Sequence, residues 1–115
     1  MRPLRVLALV ALAAALPSQG ATTLRATVGP GNSISLKTSS GSSVRSLTSG
    51  TYTIVVNDRS RLHNFHLIGP VNTLNRSTTI RFVGKQTWRM SFVKGTYRFV
   101  CDRHMRTMKG SFTVR

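Results

Sequence analysis

Cysteine is nearly missing from the 115-residue chain, and acidic residues are almost as scarce. One Cys, Cys101, excludes a disulfide framework within the chain and any zinc site built from several thiolates. Two acids, Asp58 and Asp102, cannot build a carboxylate-rich calcium or magnesium cage. The paired carboxylates of glycoside hydrolysis would have to be those same two residues. Apolar runs are short too. The longest, Val6–Leu16, is far from the roughly 20 residues needed to span about 30 Å of hydrocarbon. Glycine is irregularly spaced and Ser and Thr are plentiful, which excludes collagen and coiled coil. The length allows one domain.

What is present begins with a targeting pattern. Arg2 and Arg5 precede the apolar run, and Pro17-Ser18-Gln19-Gly20-Ala21 supplies small residues after it. A charged start, an apolar middle and a small-residue end predict a secretory signal peptide over 1–20, cleaved near Gly20/Ala21. The mature domain, 21–115, is then expected outside the cytoplasm, secreted or periplasmic, with no transmembrane segment and as a monomer. Its net charge, +15 for the whole chain, is +13 once Arg2 and Arg5 are gone. A field of that sign attracts anionic partners.

From Leu24 onward the apolar residues recur with period two, the signature of half-buried strands. Leu24/Ala26/Val28, Ile34/Leu36, Tyr52/Ile54/Val56, Ile80/Phe82, Trp88/Met90/Phe92, Tyr97/Phe99/Cys101 and Phe112/Val114 each alternate with polar residues. Gly29-Pro30-Gly31, Ser39–Ser43, Asn57-Asp58, Gly69-Pro70, Gly84 and Gly95 supply turn chemistry between them. The expectation is an all-β domain of about seven or eight short strands, an antiparallel sandwich or barrel. Trp88, Met90, Tyr97, Phe99, Phe65 and Phe112 are expected in its core.

Two places carry chemistry. One is Gly95-Thr96-Tyr97-Arg98-Phe99-Val100-Cys101-Asp102-Arg103-His104-Met105-Arg106-Thr107-Met108-Lys109-Gly110, where a strand delivers Cys101 into a tight loop. The other is Arg61-Leu62-His63-Asn64-Phe65-His66-Leu67. A thiolate, two imidazoles and a thioether form a donor set suited to both copper oxidation states, with Cys and two His in a plane and a weak axial Met. A thioether is a poor zinc ligand, so the set favours copper. A free Cys is otherwise most often a small buried hydrophobe, and pairing with His104 as base would make it a nucleophile, although no acid or amide evidently orients that His. Three residues apart, His63 and His66 would point to opposite faces of a strand, so only one can meet the metal.

These segments resemble the cupredoxins, the plastocyanin, amicyanin and pseudoazurin family of type 1 copper proteins. The resemblance lies in G-x-Y-x-F-x-C running into C-x-x-H with Met shortly after, in the His-Asn pair, and in a chain that ends soon after the Met; it covers residues 24–115. It implies a Greek-key β-sandwich binding one copper ion (Cu+/Cu2+) through His63, Cys101, His104 and Met108. Asn64 would tether the ligand loop by hydrogen bonds near the thiolate. His66 becomes a structural or surface histidine and Met105 a residue pointing away. This chain has Arg103 where many members place Pro before the His, and three residues between His104 and Met108. The implied function is single-electron transfer between partner proteins, through the edge of His104, with no enzymatic activity of its own. Arg61, Arg103, Arg106 and Lys109 around that exit favour a redox partner that is acidic at its docking face. Two other functions use the same residues or none of them: copper capture and delivery without redox turnover, and a metal-free basic β-domain for anionic surfaces. Nucleic acid is not expected, since no aromatic stacking motif or dense basic run is present.

Overall fold

The computed structural model describes residues 21–71 and 74–115. The expected signal peptide, 1–20, lies outside the described residues. Nine strands form among the described residues: β1 (Thr22–Val28), β2 (Ile34–Thr38), β3 (Ser46–Leu47), β4 (Gly50–Asp58), β5 (His66–Ile68), β6 (Asn75–Ser77), β7 (Gly84–Phe92), β8 (Gly95–Val100) and β9 (Lys109–Val114). They make a four-stranded sheet in the order β2-β1-β4-β7 and a five-stranded sheet in the order β3-β9-β8-β5-β6. The all-β sandwich expected from the period-two pattern is the observed architecture. No described helix is long and apolar enough to cross a membrane.

The alternation places the core. Leu24, Ala26 and Val28 of β1, Ile54 and Val56 of β4, and Trp88, Met90 and Phe92 of β7 face inward from one sheet, against Leu67 of β5, Tyr97 and Phe99 of β8, and Phe112 and Val114 of β9. Phe65 stacks on Phe99 at 5.4 Å between centroids and tilts onto Trp88 at 6.0 Å, so an aromatic layer backs the end of the sandwich where Cys101 lies. Gly110 sits opposite Phe99 in the β8–β9 ladder, and any Cβ there would collide with the Phe99 ring. Gly95 is held at φ +146°, with a Cβ position only 2.6 Å from Pro70 Cγ, so it needs glycine for both conformation and space.

Four sequence expectations are corrected. The sandwich is not purely antiparallel: β1 pairs parallel with β4, and β3 with β9. Each parallel pair is separated in sequence by strands of the other sheet or by the β2 return, which gives the chain the length a crossover requires. Ile80/Phe82 is not a strand but a turn, with Phe82 N–H donating to Thr79 O at 3.2 Å. That segment passes from β6 in one sheet to β7 in the other, so neither ladder can take it. Asn57-Asp58 is not a turn but the end of β4, and Gly84 opens β7 rather than separating strands. β3 and β6 are two and three residues long and β6 is wholly exposed, too short and polar to show alternation.

Candidate metal centre

The site is built by extending two strand registers beyond their last ladder pairs. In the β8–β9 pair Val100 faces Lys109, so the next residues, Cys101 and Met108, face each other. Cys101 N–H donates to Met108 O at 3.0 Å, which continues the ladder by one rung. Opposed residues on antiparallel strands project to the same face. Both side chains are accordingly inward and fully buried. Between them the chain makes one helical turn: His104 N–H donates to Cys101 O at 3.0 Å, and Met108 N–H donates to His104 O at 2.8 Å. Thus backbone hydrogen bonds close Cys101, His104 and Met108 into one loop. Met105, in contrast, is 46% exposed.

The β5–β8 register brings in the distant histidine. His66 faces Val100, so Phe65 falls beside Cys101 and Asn64 beside Asp102. His63 lies in the loop before β5 rather than on a strand, yet it shares the inward parity of Phe65 and Leu67. It is 2% exposed. Its Nδ1 stands 3.7 Å from Cys101 Sγ, and His104 Nδ1 stands 3.7 Å from the same sulfur. The two imidazoles meet edge to face at 4.8 Å. The candidate ligand atoms of His63, Cys101 and His104 all lie within 4.8 Å of one another. A nitrogen at about 2.0 Å and a sulfur at about 2.3 Å from a shared first-row ion stand about 3.7 Å apart when the angle between them is near 120°. The spacing and the donor chemistry therefore fit one ion that two nitrogens and one sulfur would share. His104 is half-buried and gives this enclosed group its access to solvent.

Asn64, buried to 1% exposure, ties the segment of His63 to the segment of Cys101. Its Oδ1 accepts from Asp102 N–H at 2.8 Å, and its Nδ2 donates to Asp102 Oδ2 at 2.8 Å and to Thr78 O at 3.1 Å. His66 is turned away from Cys101: its Nδ1 meets Asp102 Oδ1 at 2.7 Å and its Nε2 meets Asn75 Oδ1 at 2.6 Å. The acid of the ligand loop thus orients His66, not His104. Burial pushes the Asp102 carboxyl up, but hydrogen bonds from His66 and Asn64 and the charge of His66 outweigh it and leave it below the usual carboxylate range.

No protein-family model matches the chain, and no curated protein matches it in sequence. Solved structures do match it. Reduced rusticyanin aligns with a TM-score of 0.62 at 17% identity, covering 86% of this chain and 82% of that one. A mutant of amicyanin in the Cu(I) form gives 0.55 at 14% identity, over 82% and 83% of the two chains. Auracyanin A, a "blue" copper protein from Chloroflexus aurantiacus, gives 0.53 at 18% identity, over 84% and 100%. The chain has the cupredoxin fold.

Within that fold, two features escape sequence reasoning. Asp58 reads as part of a turn, but the period of Tyr52, Ile54 and Val56 carries it to the inner face. It is 1% exposed; its Oδ1 accepts from Ser60 N–H at 2.9 Å and its Oδ2 has no partner among the described residues. Burial pushes this carboxyl above the usual range, although the Ser60 N–H and the nearby His63 pull it down. Asp102 likewise carries no assignment from sequence, because its partners His66 and Asn64 are 36 and 38 residues away. Its position next to Cys101 and its rarity were the available signals.

Proposed function

We propose that this protein is a small extracytoplasmic type 1 copper protein. It holds one copper through His63, Cys101, His104 and Met108 and passes single electrons between larger partners. The observation that carries the reading is the pair of 3.7 Å separations from Cys101 Sγ to His63 Nδ1 and His104 Nδ1. Copper, when bound, supplies the Cu(I)/Cu(II) couple. The chain supplies rigidity: the closed 101–108 loop and the Asn64 tether hold the donors in one arrangement, and small reorganisation favours fast electron exchange. Burial of His63, Cys101 and Met108 leaves the half-buried His104 as the route for electrons, and favours a carrier over a protein that hands copper on through exposed ligands. Arg103 and Arg106 flank His104 in the loop, Arg61 precedes His63 by two residues and Lys109 follows Met108, and all four are exposed, as are Leu62 and Met105. That rim suits an acidic redox partner.

The test is the visible spectrum of the copper-loaded protein beside Cys101→Ser. The expected result is an intense thiolate-to-Cu(II) band that the variant lacks while its sandwich still folds. Absence of the band in the parent protein defeats the reading. A second variant separates ligand from packing at Met108. Met108→Leu nearly conserves volume and is expected to cost less than about 1.5 kcal/mol in the metal-free protein, while moving the reduction midpoint of the loaded one. An unmoved midpoint removes Met108 from the ligand set.

A further inference from the structure

Arginines from three separate stretches of chain converge beside the metal centre. Arg61, Arg81 and Arg103, with Leu62 and Ile80, line a pocket of about 230 Å³. Arg61 comes from the loop that carries His63, Arg81 from the turn between β6 and β7, and Arg103 from the loop that carries Cys101 and His104. Among the described residues none of the three has a counter-charge, and the sequence explains why. The whole chain contains two carboxylate side chains. Asp58 is buried with its one hydrogen bond to Ser60, and Asp102 is bound by His66 and Asn64. The one ion pair among the described residues is His66–Asp102, which involves no arginine.

Three arginines lining one small concavity bring like charges together, which an anion between them would offset. Each is a planar fork of N–H donors matched to oxyanions. A carboxylate is satisfied by one such fork, whereas a tetrahedral dianion has the oxygens and charge to engage three. Leu62 and Ile80 supply apolar walls beside the three arginines. We infer that the pocket lined by Arg61, Arg81 and Arg103 is a binding site for a free oxyanion of the phosphate or sulfate class. The site is separate from the four proposed metal ligands, and it does not depend on which metal they hold.

The experiment is a titration of the protein with sodium phosphate and sodium sulfate, followed by NMR of the arginine Nε–H and backbone amides. Sodium chloride at matched ionic strength serves as the control. The expected result is saturable one-to-one shifts at Arg61, Leu62, Arg81 and Arg103 that chloride does not produce. Arg81→Gln is expected to weaken the affinity about tenfold or more, the usual worth of a charged hydrogen bond. Arg25→Gln, on an exposed position of β1, should leave it unchanged. Arg81 and Arg25 are both exposed, so neither change removes packing. Shifts that track ionic strength alone, that spread over all arginines, or that survive Arg81→Gln overturn the inference. Copper loading is read separately from the visible band, so failure here and failure of the copper reading give different results.

Discussion

Asp58 sits where a carboxylate is costly to place. A carboxylate at 1% exposure with an unpartnered Oδ2 is held there because β4 is uninterrupted and its inward parity ends on it. Its folded-state pKa is raised, chiefly by burial. The contribution of such a group to stability is fully present below the unfolded value, about 3.9, and is lost as pH rises through the folded value. Asp58→Asn cannot titrate. Thermal unfolding of the metal-free protein between about pH 3 and pH 7 should therefore show the variant gaining on the parent as pH rises. A difference that stays flat with pH would mean that the buried carboxyl is not destabilised by ionisation.

At the scale of elements, the site depends on hydrogen bonds that continue past the ends of the strands. Asn64 matters more than its size suggests, since it serves the Asp102 N–H, the Asp102 carboxylate and the Thr78 carbonyl at once. Asn64→Ala strips the buried Thr78 carbonyl and the part-buried Asp102 N–H of their side-chain partner, while the Asp102 carboxylate, its side chain 42% exposed, turns to water. The expected loss is about 2–4 kcal/mol, from an unmet buried polar group costing about 1–3 kcal/mol each. Urea unfolding of the metal-free variant measures it, and a loss under about 0.5 kcal/mol would show that the loop holds itself. Much of this element was legible. The loop from Cys101 to Met108 is contiguous, so its candidate donors could be read off the chain. The His66–Asp102–Asn64 connection could not, because it exists only once β5 and β8 are in register. The strand expected at Ile80/Phe82 failed for a related reason: two alternating apolar residues make a pattern, but a strand also needs a neighbour with which to pair.

For the whole molecule, charge is the dominant feature: +15 with two acids, both occupied locally. Steering of an acidic redox partner toward His104 is the consequence expected of the proposed function. The rate of reduction by an acidic redox protein should fall about tenfold or more as salt rises from about 10 to about 150 mM, where the screening length contracts from about 30 to about 8 Å. Stopped-flow mixing at several ionic strengths measures this. A rate that does not change with salt would remove the steering argument while leaving the proposed copper site untouched.

The amino-acid order alone determined the all-β class, the buried residues of the main strands and the grouping of Cys101, His104 and Met108, because period-two alternation and short-range spacing are local properties. Tertiary structure alone decided two things: the placement of His63 Nδ1 against the sulfur, and the meeting of Arg61, Arg81 and Arg103. Each depends on strand register and sheet crossing, which join residues tens of positions apart and leave no mark in any short window of sequence.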